Sequence, residues 1–182
     1  MVELIQVATQ LVNLLNKVDR VADVALPQEI VGVVKLHSKI AVASAVVPIP
    51  GVDMLAGGAN IWTMYGRLNS KIGLSLQENV IKSIGAGVAT NLGSYVAVSG
   101  VASALKFIPG VGSVAGAVMM GASLYAVTLV SGWVYLKALC MMVQRKGKSI
   151  SGIDFKAAID EILSNKGTIK RMFETAKKEY KS

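Results

Sequence analysis

The stretch that decides the fold, residues 83–136, has the sequence SIGAGVATNLGSYVAVSGVASALKFIPGVGSVAGAVMMGASLYAVTLVSGWVYL. Its only acidic or basic side chain is Lys106. Beside it stands Phe107-Ile108-Pro109-Gly110-Val111-Gly112, where the proline removes a backbone donor and the glycines tolerate the φ values of a tight turn. The sequence therefore predicts two uncharged helices, residues 83–105 and 107–136, that meet at one corner.

Composition favours a surface that water does not cover. The 182 residues are enough for one domain with a core, and length alone does not require two. Hydrophobic residues make up 53% and charged residues only 16%, whereas an ordinary globular domain is about 25% charged. The net charge of +8 fits anionic lipid or an acidic partner. With only 5% aromatic residues, none of them interleaved with a basic run, we expect no nucleic-acid partner.

The single cysteine and the N-terminus bear on the compartment. Cys140 excludes an internal disulfide, fits a reducing compartment, and is interpreted as a small apolar residue rather than a reactive thiol. The N-terminus carries Glu3 and lacks a basic start and a small-residue cleavage site, so no secretory signal is predicted. We therefore expect any membrane contact to be made from the cytoplasmic side.

Residues 1–26 predict an amphipathic helix that packs on the rest of the molecule or on a partner. Apolar residues recur there at alternating intervals of four and three, namely Leu4, Ala8, Leu11, Leu15, Val18, Ala22 and Ala25. Leu26-Pro27 ends the pattern, because the residue before a proline is pushed out of the helical region. A second helix should begin near Gln28.

The first predicted hairpin covers residues 28–72. Its corner, Pro48-Ile49-Pro50-Gly51, holds two prolines and a glycine that force a turn. Asp53 is placed to cap the following helix, with an ion or proton role as the alternative. Each arm is uncharged for only about 13 residues, too few to cross a bilayer, so we expect a re-entrant or core hairpin.

The second predicted hairpin covers residues 76–143 and begins at a capping box formed by Ser75 and Glu78. Its arms of 23 and 30 residues are long enough as helices to cross roughly 30 Å of hydrocarbon. Small residues allow close helix packing, which we expect at Gly85, Gly93, Gly100, Gly116 and Gly121. Both corners contain Ile-Pro-Gly-Val, 59 residues apart, which indicates either two related hairpins or a chance recurrence.

Basic residues flank the apolar arms and suggest an orientation. We predict contacts with anionic lipid, at the open ends of the hairpins, for Lys35, Lys39, Arg67, Lys71, Lys82, Arg145, Lys146 and Lys148. If the arms insert, these ends face the cytoplasm. In a soluble bundle the same residues would form a basic rim.

The composition changes after residue 143, and residues 144–182 carry a local charge of +5. We predict a basic helical tail here, next to a hairpin domain of residues 1–143. Ser151 and Asp154 predict a cap for a helix that ends near Asn165. A last helix follows, either folded back on the domain or lying in a membrane interface; its apolar face holds Ile169, Met172, Phe173, Ala176 and Tyr180.

Three segments carry a resemblance to a known family. They are ASAVVPIPGVD at residues 43–53, NIWTMYGRL at residues 60–68 and LKFIPGVG at residues 105–112. Over roughly residues 33–140 the chain resembles an uncharacterised GTPase-associated helical family, a domain of unknown function found beyond Era-like GTPase domains in bacterial membrane proteins. The resemblance implies a membrane-linked helical module with a GTPase as possible partner, and it implies no catalytic residues. Unlike the fused members of the family, this chain is not expected to carry a GTPase domain, and Asn60 stands where the family commonly has glutamine.

Motifs that suggest catalysis have structural explanations. The glycines at 110, 112 and 116 follow no strand and indicate helix packing rather than a dinucleotide loop. Gly147-Lys148-Ser149 lacks the earlier glycine of a phosphate loop, because Met142 stands there, and is interpreted as a basic linker. His37, the only histidine, is predicted at a helix surface or interface. Without paired carboxylates, a triad or a metal spacing, we predict no enzyme, cofactor or metal.

These patterns together predict an all-α helical bundle built on two Pro-Gly-cornered hairpins. We expect a non-enzymatic, membrane-associated interaction or scaffold protein at the cytoplasmic membrane that inserts its second hairpin. Its expected partners are membrane lipid and another protein or a second copy of itself. One alternative is a soluble, cytoplasmic homo-oligomeric module, and another is a pore-forming or membrane-perturbing protein.

Overall fold

The computed structural model describes residues 28–44, 53–74, 76–98, 112–146 and 151–181. These residues form six α-helices and no strand. The helices are α1 (Gln28–Ser44), α2 (Asp53–Ile72), α3 (Glu78–Val98), α4 (Gly112–Lys146), α5 (Gly152–Ser164) and α6 (Lys166–Lys181). They pack on one another as a bundle, so the predicted all-α class is confirmed.

Local sequence signals set several helix ends. α1 begins directly after Pro27, as the proline predicts. α2 ends at Ile72, and Gly73 follows with a φ of +71°, the left-handed conformation that glycine adopts without strain. α5 begins after Ser151, whose hydroxyl oxygen accepts the backbone N–H of Asp154 at 3.2 Å. The predicted cap at Ser151 is therefore confirmed.

The two helices of the second hairpin differ in length from the predicted arms. α3 begins at Glu78, while Ser75 of the predicted capping box lies outside the described residues. α4 continues to Lys146, past the predicted end at Leu136. The helix tolerates Lys137 because its ammonium lies 4.9 Å from the centre of the Trp133 ring, a favourable cation–π arrangement.

The core of the bundle is built around α4. Most residues of its segment Gly121–Leu139 are buried, because the five other described helices pack against α4. Large side chains in this segment, such as Trp133 and Tyr135, are fully buried. A helix that is apolar on all sides belongs in the centre of a protein or in a membrane, and here other helices cover it.

Contacts along α4 fix the direction of α1. Val42 faces Gly121 and Val34 faces Gly132. A later residue of α1 thus meets an earlier residue of α4, so the two helices are antiparallel.

Side-chain hydrogen bonds fix the direction of α2. The Tyr65 hydroxyl donates to the carbonyl oxygen of Ser131, and the Tyr135 hydroxyl donates to Asn69 Oδ1. Both pairs have the same offset of 66 residues, so α2 is parallel to α4. The short connection from Ile72 to Glu78 makes α3 an antiparallel neighbour of α2.

These directions place four helix ends together. We call this the corner end, and it holds Ser44, Asp53, Val98 and Gly112. The opposite, open end holds Gln28, Ile72, Glu78 and Lys146. Both Pro-Gly segments join helices at the corner end, which agrees with the predicted hairpin topology.

The C-terminal helices pack onto the bundle. In α5 the ring of Phe155 contacts Tyr135 edge-on, with centroids 4.9 Å apart. α6 buries Ile169, Met172 and Phe173, as the folded-back interpretation of the last helix predicts. Because Tyr180 meets Tyr125 at 5.4 Å, α6 ends near the corner end of the bundle. The boundary predicted at residue 143 falls inside α4 and stays a prediction.

Candidate functional site

No catalytic cluster is found in the described part of the chain. Among these residues, no group of three or more histidine, cysteine, aspartate or glutamate side chains is arranged to hold a metal ion. The remaining candidate features are the corner end, the buried polar contacts and a surface groove.

The predicted corner residues flank the corner end. Asp53 and Gly112 are the first residues of α2 and α4, and the capping role of the Asp53 side chain stays a prediction. The remaining predicted corner residues lie outside the described residues; they are Pro48, Pro50, Gly51, Pro109 and Gly110.

α4 extends beyond the start of α2 at the corner end. The offset of 66 residues between α2 and α4, continued along both helices, places Asp53 level with Met119. Residues 112–118 of α4 therefore project past the start of α2 by about 10 Å, at about 1.5 Å per residue. The projecting sequence, GSVAGAV, is uncharged and made of small and apolar residues.

Tyrosines lie in the corner-end halves of three helices. Tyr95 of α3, Tyr125 of α4 and Tyr180 of α6 are each partly exposed. Tyr180 contacts Tyr125, and Tyr95 lies 6.1 Å from Phe173. Amphipathic rings at the boundary between an apolar tip and a polar body are typical of membrane interfaces.

Basic side chains flank the corner end as well, which the sequence did not indicate. The C-terminal turn of α6 brings the exposed Lys178 there. Lys177, one residue earlier, lies 5.6 Å from the Phe173 ring and 3.8 Å from Glu174. The placement of Lys39 at the open end was wrong: it is the twelfth of 17 residues in α1, nearer the corner end, and is exposed.

Two predicted lipid-contacting lysines make ion pairs at the open end. Lys71 pairs with Glu29 at 3.3 Å, and Lys82 pairs with Glu78 at 2.6 Å. Hydrogen bonding to Lys82 holds the pKa of Glu78 below its usual value. All four side chains are exposed, so the pairs contribute little to stability.

The other predicted lipid contacts have varied positions. Arg67 is exposed on α2, and Lys35 is partly exposed on α1. Arg145 and Lys146 are the last residues of α4, and Lys148 lies outside the described residues. Arg145 and Lys146 end α4 at the open end, and the length of that helix separates them from the projecting residues 112–118.

Two of the predicted packing glycines lie at close helix contacts. A Cβ at Gly85 would lie 2.9 Å from the Trp62 Cβ, and one at Gly121 would lie 3.2 Å from the Tyr180 hydroxyl. Gly93 is partly buried in α3, Gly116 lies in α4, and Gly100 is outside the described residues.

Two further glycines at close contacts were not predicted. A Cβ would lie 2.9 Å from Val34 at Gly132 and 2.9 Å from Val80 at Gly152. The small-residue pattern could have suggested Gly132, which sits in the same uncharged stretch.

His37 is buried, and its predicted surface position was wrong. The side chain is 2% exposed. Its Nδ1 lies 2.7 Å from Asn60 Oδ1, and Asn60 Nδ2 donates to the His37 carbonyl oxygen at 2.9 Å. His37 Nε2 is buried without a hydrogen-bond partner among the described residues. Burial, assisted by the nearby charge of Arg67, lowers the pKa of His37 despite the Asn60 hydrogen bonds.

A second buried polar group joins α2 to α4. The rings of Tyr65 and Tyr135 stack with centroids 4.0 Å apart, and their hydroxyls donate to Ser131 and Asn69. Burial raises the pKa of both tyrosines, so both stay neutral. Neutral, enclosed hydroxyls of this kind fix helix register and offer no accessible nucleophile.

A groove of about 540 Å³ lies at the open end, between the first turns of α3 and α5. Its rim includes Ile153, which is 85% exposed. Of the described residues that line it, Lys156 alone is charged, and its ammonium lies 2.5 Å from Asp160. The groove therefore lacks the converging titratable groups of an active site.

Among the described residues, one stretch, Gly121–Leu139, is long and apolar enough to cross a membrane, with a mean hydropathy of 1.3. Core helices of soluble proteins share this property, and this stretch is mostly enclosed by the bundle. The chain matches no protein-family model, no curated protein and no solved structure. The resemblance to the GTPase-associated family stays a prediction.

Proposed function

We propose that this protein is a non-enzymatic helical module that docks on the cytoplasmic membrane through its corner end and presents the rest of the bundle to a protein partner. The observation that carries the proposal is the projection of α4, residues 112–118, past the start of α2. Residues 96–120 contain one acidic or basic side chain, Lys106. An uncharged tip of this kind favours a lipid environment over water.

The dimensions favour insertion into one leaflet rather than a full span. The projection measures about 10 Å, less than half of the roughly 30 Å hydrocarbon thickness. The apolar part of α4 that could span, Gly121–Leu139, is occupied in packing against the other helices. We therefore replace the expected span with a shallow, one-sided insertion.

Charges and tyrosines beside the tip fit this placement. Lys39 and Lys178 are exposed near the corner end, and Tyr95, Tyr125 and Tyr180 are partly exposed. A lysine near an anionic membrane surface contributes about 1 kcal/mol to binding. Tyrosine rings favour the headgroup level.

Flotation of the purified full-length chain with lipid vesicles tests the proposal. The protein should float with vesicles that contain anionic phospholipid and float less with neutral vesicles. Val114→Lys places a charge in the projecting tip and should weaken binding by about tenfold or more. Its matched control, Ile153→Lys, adds the same charge at an exposed position of the open end and should bind normally.

A second matched pair separates tip insertion from charge attraction. Lys178→Glu reverses a charge near the corner end, and Lys170→Glu reverses an equally exposed one nearer the open end. At about 1 kcal/mol per charge, the first should weaken binding to anionic vesicles roughly 30-fold and the second far less. If the parent protein fails to float with either the anionic or the neutral vesicles, the proposal is refuted.

A soluble interaction module is the second candidate, and one observation favours it. Most of Gly121–Leu139 is buried by the protein's own helices, so much of the high apolar content is already covered. Parent protein that purifies without detergent as a discrete oligomer and does not float would support this candidate.

A further inference from the structure

α1 carries an apolar stripe on the outside of the bundle. Four large apolar side chains are exposed among the described residues, and two of them, Leu36 at 45% and Ile40 at 44%, lie on α1. Val33, which is partly buried and also packs against the core, and Ala43, which is exposed, lie on the same side. These four residues, at intervals of three, four and three, are called the outer stripe.

A neighbouring side of α1, roughly a third of a turn round the helix, is already used by the core. Ile30, Val34 and Ala41 are buried, and α1 packs there against α2 and α4. This packing leaves Leu36, Ile40 and Ala43 of the outer stripe exposed. The spacing of the stripe suits a helix that packs along one seam.

The N-terminal segment, residues 4–25, has a matching seam. Its apolar residues recur at intervals of four and three, while its other side carries Gln6, Gln10, Asn13, Lys17 and Arg20. The segment joins α1 through Leu26-Pro27, and two to five residues suffice to connect antiparallel helices. As a helix it would be longer than α1, so it could cover the whole outer stripe.

The two seams match in register. If the chain turns at Pro27, residues that lie equally far before and after Pro27 come side by side, so the numbers of each such pair add up to about 54. Val18 then falls level with Leu36, and Leu11 falls level with Ala43. Leu15 falls within one residue of Ile40. Asp19 falls level with Lys35, which places opposite charges beside the seam.

We propose that the N-terminal segment folds back across Pro27 as an antiparallel helix and covers the outer stripe of α1. The occupant is a part of the same chain, so the contact forms without lipid and without a second copy. This proposal does not depend on the membrane proposal.

Thiol labelling of the full-length chain without lipid tests the proposal. In a Cys140→Ser background, a cysteine at Leu36→Cys should react about tenfold more slowly than one at Ile153→Cys, the 85% exposed reference. Adding Leu11→Glu and Val18→Glu should remove most of this protection and leave the labelling of Ile153→Cys unchanged.

The matched control uses Gln10→Glu and Asn13→Glu, which add the same charge on the other side of the segment and should preserve the protection. Ala43→Cys repeats the measurement if Leu36→Cys lowers the helical content. Equal labelling of the stripe and reference cysteines in the parent would overturn the proposal. Protection that survives the seam substitutions, or that rises with protein concentration, would assign the stripe to another cover and would also overturn it.

Discussion

Replacing Gly85 by alanine tests a close contact between α2 and α3. A Cβ at this position would lie 2.9 Å from the Cβ and 3.1 Å from the Cα of Trp62. Two of the three nearest atoms, Cα and N, belong to the Trp62 backbone, so no side-chain rotation relieves the clash. α2 and α3 would have to move apart, and overpacking of this kind costs about 1–3 kcal/mol.

The helix itself favours the substitution, because alanine is better than glycine in a helix interior by about 1 kcal/mol. The net expectation for Gly85→Ala is a loss of up to about 2 kcal/mol in the free energy of unfolding. For a chain of 182 residues, this corresponds to a melting temperature lower by up to roughly 8 °C.

Gly87 on the same helix supplies the matched control. It is exposed, and a Cβ there would meet no atom within 4 Å. Gly87→Ala should therefore gain about 0.5–1 kcal/mol from helix propensity alone. Urea unfolding of the full-length variants, followed by far-UV circular dichroism, measures both effects. If Gly85→Ala stabilises the protein as much as Gly87→Ala does, the close α2–α3 contact is wrong.

Three further predictions concern buried hydrogen bonds, pH and a helix cap. Tyr135→Phe removes the donor to Asn69 in the core and should cost about 1–3 kcal/mol, whereas Tyr125→Phe, at a partly exposed ring, should cost less than 1 kcal/mol in the same urea assay. Because burial lowers the pKa of folded His37, the unfolded chain binds the proton more tightly. The contribution of neutral His37 to the free energy of unfolding should therefore be fully present above about pH 6.5 and decline as the pH drops toward the lowered pKa. His37→Gln should flatten this dependence in urea titrations at several pH values. An unchanged pH dependence in the variant would contradict the prediction. Ser151→Ala removes the cap of α5 and should cost about 1 kcal/mol, while Ser164→Ala at the far end of that helix should cost little; equal effects would argue against the cap.

Local signals let the sequence predict much of the helical architecture. Pro27 and Ser151 act on their immediate neighbours, so the starts of α1 and α5 could be predicted from residue type and spacing. The end of α4 could not, because Lys137 breaks the uncharged run without breaking the helix. The Trp133 ring that accommodates the Lys137 ammonium is one helical turn away and had no visible signal.

Features that depend on tertiary contacts were beyond sequence reasoning. His37 is buried because Asn60, 23 residues away, is placed by the first hairpin to bond both its ring and its carbonyl oxygen. Glycine content indicated close packing, but it could not distinguish Gly85, which meets Trp62, from Gly87, which faces open space. The basic flank at the corner end depends on the direction of α6, and only packing shows that direction.

The central claim is that the tip of α4 enters one leaflet while the open end stays in water. An environment-sensitive fluorophore on Val114→Cys in the Cys140→Ser full-length chain tests this most directly, with Ile153→Cys as the control position. On addition of anionic vesicles, the label at Val114→Cys should shift to the blue and be quenched by lipids brominated in the upper acyl chain, while the label at Ile153→Cys should not change. An unchanged spectrum at Val114→Cys, or equal quenching at both positions, would contradict the claim.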